Sequence, residues 1–371
     1  MRVYKRYILI NSVNSYLFYF FIFAPLYASQ HNITLSEAGW IFSFVYGIQA
    51  ILSYTVGRIF ERFSPNWGVI LARGIYGLAP LILFLTSNPF WFTVAMLLAS
   101  FFDVFSPSIV LFERAIFPKE KREIIYKCIT VISEVVKLTI ILPIILLNLK
   151  ISKVLFLTQF LLSIFYVTAF FLFMPKVESG SIVDYESKKT VEDVDKKNLL
   201  VIYLIQLLIL MAFNFASAMI RSYYISEVLH QGSKMLLTAE VFYSASIAAG
   251  FLIIFRKKFK LKTSLILGSL LLTIYFFVIA YPTVEAYYLA HVIVGVGFLM
   301  WFPAKESIKF KSAPKELGRW EGFFQGANIF TRIVFPPIAA HMTEVLSYTS
   351  VYVTAGIMSL TAVILGAFVK D

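Results

Sequence analysis

Twelve runs of about twenty mostly apolar residues follow one another along the chain, near 7–28, 38–57, 67–87, 90–112, 123–147, 154–174, 199–221, 235–255, 263–281, 286–304, 320–341 and 348–369. A helix needs about 20 such residues to cross a hydrocarbon layer of about 30 Å. Within lipid every backbone N–H and C=O must be paired internally, so only helices or closed barrels are stable there. A barrel strand alternates apolar and polar residues over about ten positions. Phe156–Phe173 and Leu265–Ala280 are uncharged and show no such alternation. The expectation is an all-α integral membrane protein crossing twelve times.

Composition agrees. Charged residues make up 15% of the chain and hydrophobic ones 59%, with a mean hydropathy of +0.80. A soluble domain carries about 25% charged residues on its surface, so a water-soluble enzyme is excluded. Cys128 is the single cysteine, which excludes an intrachain disulfide. Arg2, Lys5 and Arg6 ahead of the first run resemble the start of a secretory leader. The run continues to about Ala28 with no A-x-A site, so it reads as a retained first helix.

The net charge of +12 raises the question of where the cations sit. With the N-terminus inside, 26 of the 33 Lys and Arg fall on inner segments and four (Lys150, Lys153, Arg221, Lys234) on outer ones. Arg73, Lys137 and Arg332 lie within spans. Basic residues favour the cytoplasmic side of a membrane, so both termini are expected in the cytoplasm and the location is the cell membrane. The cations are spread over seven inner segments, not gathered into a nucleic-acid footprint.

One long polar break, 175–198, mixes Glu178, Asp184, Glu186, Glu192, Asp193 and Asp195 with lysines. It reads as a cytoplasmic linker between a six-span unit at 1–174 and another at 199–371. The units share local features. Pro107 and Pro118 recur as Pro303 and Pro314 at an offset of 196, and Lys-Glu follows the second proline each time. Two parallel six-helix halves are the plan of one class of secondary transporter.

The turn Gly57-Arg58-Ile59-Phe60-Glu61-Arg62-Phe63 follows the second span. With the doubled plan, it makes the whole chain resemble the major facilitator superfamily. The resemblance implies two pseudo-symmetric six-helix bundles, and a monomer. It implies that Gly57, Arg58, Glu61 and Arg62 hold and release a cytoplasmic gate, with Glu61 facing the eleventh span near Arg319. It also implies that spans three, six, nine and twelve support the outside of the bundle. Spans six, nine and twelve carry no charge, and Arg73 of span three lies near its cytoplasmic end, where a long side chain can snorkel. The glycine–proline pattern of antiporters is absent from span five, where Leu142-Pro143 stands.

A charge near the bilayer centre costs about 2.5–3.5 kcal/mol on insertion scales, so each one needs a reason. Asn11, Asn14 and Ser15 share a face of span one, Asn214, Ser217 and Arg221 a face of span seven, and Gln325, Asn328 and Arg332 a face of span eleven. Lys137 and Arg332 are 195 residues apart, near-equivalents under the repeat, each about 20 Å from the cytoplasmic end of its helix. Facing one cavity from opposite halves, they would bind an anion, with the guanidinium taking a carboxylate or phosphate in fork fashion. The alternatives are that Lys137 neutralises Glu134 three residues away, and that Arg332 pairs across helices with Glu134 or Asp103. Candidate substrate contacts are Asn11, Asn14, Lys137, Asn214, Asn328 and Arg332. Asp103 and Glu134 are candidates to carry a proton, a role that pairing with a cation opposes.

Gly318, Gly322 and Gly326 form a small-residue ridge expected to pack against a neighbouring helix. Pro107 and Pro303 are hinges or simple bends. His31, His230, His291 and His341 are scattered without metal spacing, and Asp193-Val194-Asp195 reads as solvated. No G-x-x-x-x-G-K-[ST] loop is present. The expected function is secondary active transport of a small solute, anionic if the two cations bind it, by alternating access coupled to protons. Membrane lipid is the surrounding partner, with no metal, no cofactor and no nucleic acid. The alternatives are an integral-membrane enzyme acting on a lipid-linked substrate, or a non-transporting sensor or assembly protein of the same fold.

Overall fold

The computed structural model describes residues 3–60, 64–86, 88–118, 121–147, 151–177, 196–256, 259–312 and 317–370. Among them are twelve membrane-length helical units and no strands. The first half holds α1 (Val3–Ser29), α2 (Leu35–Phe60), α3 (Pro65–Leu85), α4 (Pro89–Ile116), α5 (Arg122–Leu146) and α6 (Ile151–Phe173). The second holds α7 (Lys196–Val228), α8 (Ser233–Arg256), α9 (Leu261–Ile279), α10 (Val284–Ser312), α11 (Leu317–Val345) and α12 (Tyr348–Gly366). Eleven of these units are long and apolar enough to cross a membrane by composition alone. The exception is α11, whose Gln325, Asn328, Thr331 and Arg332 form a polar stripe. The protein is a multi-pass membrane protein.

Three of the units that line the centre of the molecule are broken. The first, α1, consists of Val3–Asn11, Asn14–Phe18 and Phe20–Ser29. Its freed carbonyls are met by side chains: Tyr76 Oη donates to Leu17 O, and Gln159 Nε2 to Tyr16 O at 3.2 Å. The equivalent α7 breaks between Phe215 and Ala218, where Ser217 caps the next piece by accepting from Ile220 N, and it ends in a π-helical turn, Tyr224–Val228. A third break, at Phe105 of α4, is followed by Ser106-Pro107 opening a new helix. Pro303 interrupts nothing, because α10 runs unbroken past it. The paired prolines are therefore not equivalent: one starts a helix and the other is absorbed into one.

Among the described residues the halves meet along three main seams. Gly39 of α2 packs so closely on α11 that a Cβ there would lie 3.4 Å from Pro336 O, and Ser43 Oγ donates to Ile333 O at 2.8 Å. The second seam joins α5 to α8 and α10, with Tyr126 and Phe302 edge to face at 5.9 Å. The third joins α1 to α7, where Tyr223 Oη donates to Ile33 O at 2.5 Å and Ser222 Oγ to Ile22 O at 3.4 Å. The last contacts lie on the face opposite the termini, and they close it.

Several expectations need correction. Of the glycine ridge, Gly326 is exposed and a Cβ on it would meet nothing within 4 Å, while the surroundings of Gly318 and Gly322 lie outside the described residues. Close packing occurs instead at Gly268, where a Cβ would lie 2.6 Å from Trp301 N. Arg73 does not snorkel; it is 1% exposed, enclosed by aromatic rings. Lys305 and Lys309, counted among the loop cations, are buried, because α10 continues beyond its apolar run and folds both lysines onto Glu306 at 2.7 Å each. Of the gating turn, Gly57 and Arg58 fall in the last turns of α2, while Glu61, Arg62 and the side chain of Arg58 lie outside the described residues. Linker residues 178–195 also lie outside them. The linker's start is held to α3, with Asn66 Nδ2 donating to Pro175 O and Val177 N to Asn66 Oδ1, both at 2.8 Å.

Candidate functional site

The broken helices α1, α4 and α7 surround, together with the unbroken α2 and α11, a cavity of about 220 Å³ between the halves. Phe18 and Phe21 of α1, Phe42 and Tyr46 of α2, and Phe213 of α7 give it an apolar wall. Asp103, Asn214, Ser217 and Arg332 supply its polar groups. An aromatic wall with a few convergent polar groups is the usual make-up of a small-molecule site, though this one is smaller than the 300–1,000 Å³ or so that drug-sized ligands occupy.

Arg332 of α11 donates through Nη1 to Asp103 Oδ2 of α4, and the pair crosses the interface between the halves. Its side chains remain 23% and 20% exposed, so a solute in the cavity reaches both. The guanidinium also lies 5.3 Å from the ring centre of Tyr46. Beside it, Asn214 Nδ2 donates to Asn328 Oδ1 at 3.0 Å and to Thr331 Oγ1 at 2.7 Å. Gln325 Nε2 continues the polar row to Ser106 Oγ at 3.1 Å. Of the two pairings open to Arg332, the one with Asp103 is found; Gln325 and Arg332 of the α11 stripe reach the other half, whereas Asn328 and Thr331 face α7 of their own half.

Lys137 sits elsewhere. The two cations do not share the cavity: Lys137 is absent from its lining and 3% exposed. Its Nζ lies 2.7 Å from Glu134 Oε2 on its own helix and 2.9 Å from Glu240 Oε2 on α8. Ser244 Oγ donates to Glu134 Oε2 at 2.6 Å, and the ammonium lies 4.6 Å from the Tyr243 ring centre. The physical reason is that α5 packs on α8, so a cation on that face meets the acid opposite before it meets the centre. Glu240 was not singled out from the sequence. The signal was there: an acid inside the run 235–255 needs a partner as much as any cation does.

Asn11 and Asn14 also lie off the cavity lining. Asn11 Oδ1 accepts from Tyr166 Oη at 3.4 Å, whereas Asn14 Oδ1 is buried without a partner. Nearer the face that carries the termini, half-buried Glu113 accepts from Tyr7 Oη at 2.7 Å and Tyr126 Oη at 3.0 Å, and it is not among the candidates the sequence offers. His291 Nδ1 donates to Tyr287 O, 2.8 Å away within its own helix.

No curated protein matches the chain in sequence. Among solved structures it is similar to the human organic anion transporter MFSD10 (TETRAN), with a TM-score of 0.69 at 12% identity over 99% of this chain and 100% of that one. It is similar to a POT family transporter in complex with 5-aminolevulinic acid, with a TM-score of 0.68 at 13% identity over 99% and 96%. The nucleoside transporter NupG gives 0.64 at 13% identity over 100% and 99%. These likenesses concern the fold. The sequence itself matches the Major Facilitator Superfamily over residues 8–304, so this doubled bundle with its central cavity belongs to that family of membrane transporters.

Proposed function

We propose that the protein is a secondary active transporter that carries a small organic anion through the cavity by alternating access, with Asp103 as the proton carrier. The observation that carries this reading is the Asp103–Arg332 pair, which joins the halves and is open to the cavity. A carboxylate on the solute competes with Asp103 for Arg332. Protonation of Asp103 removes that competitor, so proton and anion bind together. With the solute in place the link between α4 and α11 is exchanged for links through the solute, and the halves rock about it. Asn214 and Asn328 steady the Arg332 side of the site. Glu134, held by Lys137 and Ser244, serves the sealed contact instead of the proton path. The similar human protein is by its name an organic anion transporter, which agrees with this choice of solute.

The face bearing the termini is the cytoplasmic one, on the cation asymmetry, so the closed α1–α7 seam faces outward. The chain works as a monomer in the cell membrane, with membrane lipid around it and without nucleic acid, and it is not an enzyme. The test is uptake in proteoliposomes under an imposed proton gradient, with a panel of labelled organic acids. Accumulation that collapses with the gradient and is lost in Arg332→Ala supports the reading. Uptake that survives Arg332→Ala unchanged removes it.

A further inference from the structure

Arg73 of α3 takes no part in either ion-pair cluster. Its guanidinium carbon lies 4.1 Å from the ring centre of Phe102, 4.9 Å from Phe18, 5.1 Å from Tyr166 and 5.9 Å from Tyr76. Ring faces attract a cation but accept N–H groups poorly; the Tyr166 hydroxyl takes part of the guanidinium's donor capacity, while Nε and Nη1 have no hydrogen-bond partner. No carboxylate forms an ion pair with Arg73 among the described residues. A buried cation in this state lacks the counter-charge that normally offsets its lost hydration.

Phe18 is the cavity-lining side chain that also touches Arg73. It belongs to the shortest piece of α1, Asn14–Phe18, with a break at Val13 before it and another at Tyr19 after it. A five-residue piece between two breaks turns more easily than a continuous helix, because fewer backbone bonds must give way. Asn14, four residues back on the same face, carries a buried side-chain oxygen, Oδ1, that has no partner. Phe102, the ring nearest Arg73, is next to Asp103, so the caged cation adjoins the acid of the cavity pair.

We propose that Arg73 is the seat of a second anion subsite, entered from the cavity when Phe18 turns aside, and that it takes the carboxylate of a small organic acid. It provides from the first half the cation beside the cavity that Lys137 does not provide. A carboxylate released by Arg332 as the halves separate passes to Arg73 without crossing an uncharged stretch. This rests on the cavity being the solute site.

The experiment uses the full chain in detergent, phenylglyoxal as an arginine reagent, benzoate as the probe anion, and peptide mass spectrometry. In wild type, Arg73 stays unmodified. In Phe18→Ala, Arg73 modification rises severalfold and benzoate suppresses it, while half-buried Arg221 keeps its wild-type reactivity. If Arg221 modification rises too, the variant has opened as a whole, and Phe18→Leu then carries the same test. Arg73 that remains unmodified in the intact variant, or that benzoate fails to protect, overturns the proposal. Arg332 in the same digests reports separately on the cavity. Its protection by benzoate in wild type supports the proposed function whatever Arg73 does, and its indifference to benzoate counts against that function alone.

Discussion

Two ionic clusters join the halves, and they differ in the access they allow. Asp103 and Arg332 retain about a fifth of their side-chain surface, and that surface faces the cavity. Glu134, Lys137 and Glu240 are each 5% exposed or less, and a hydroxyl and a ring complete their shell. The same kinds of charged group therefore have different uses. A pair that water and solute reach can exchange partners at low cost. A pair sealed from water cannot, because separating it leaves a bare charge in a medium of low dielectric. Lys137 lies about 22 Å from the start of α5, and Glu240 about 10 Å from the start of α8 at the opposite face. The sealed cluster thus sits in the outer half of the molecule, level with the α1–α7 seam, and joins the halves there.

The largest effect expected from breaking this contrast is in the sealed cluster. Lys137→Ala leaves two carboxylates buried without a cation, and removing one partner of a buried pair costs about 3–5 kcal/mol. The expected outcome is a marked fall in melting temperature in detergent or loss of monodisperse protein. Replacing the whole set (Glu134→Gln, Lys137→Met, Glu240→Gln) removes all three charges together and is expected to recover most of that loss. A triple variant no more stable than Lys137→Ala would show that packing, not charge, is what Lys137 supplies.

The open pair is expected to behave the other way round. Arg332→Ala leaves Asp103 partly exposed to water, so the fold survives with a melting temperature near that of wild type, while uptake of an anionic solute is lost. Asp103→Asn keeps the size and one hydrogen bond but cannot titrate. Uptake driven by a proton gradient is expected to lose its pH dependence, whereas exchange of labelled for unlabelled solute without a gradient continues. Retained proton-driven accumulation in Asp103→Asn would move the proton path to another group.

The contrast also explains how much the sequence tells. Length and apolarity of a run are local properties, so the twelve spans and the doubled plan are legible, even in α11 with its polar stripe. That Asp103 and Arg332 need partners is legible too, since each is a charge within a span. Which helix faces which is not local. The partner of Lys137 depends on α5 packing against α8, and Glu240 goes unnoticed until that packing is seen. Arg73 is misjudged for a related reason: counting turns from one end measures depth, but the rings of Phe18 and Phe102 come from two other helices. Lys305 and Lys309 are assigned to a loop because apolarity ends near residue 304, whereas α10 runs to Ser312, supported by Glu306 between them.

The smallest expected effects come from the groups that finish each shell, and they sharpen the comparison most. Ser244→Ala removes the 2.6 Å bond to Glu134 Oε2. Hydrogen bonds to charged groups contribute about 1.5–3 kcal/mol, and no water replaces this one in the sealed cluster. Tyr46→Leu removes the ring beside Arg332, an interaction of about 0.5–1 kcal/mol where solvent is near. Ser244→Ala is therefore expected to lower the melting temperature more than Tyr46→Leu does, although it deletes far fewer atoms. In transport the order reverses: Tyr46→Leu changes the apparent affinity for the solute severalfold, and Ser244→Ala leaves it unchanged. If Ser244→Ala altered solute affinity as much as Tyr46→Leu, the two clusters would be one coupled site, and the division between a sealed contact and an open one would fail.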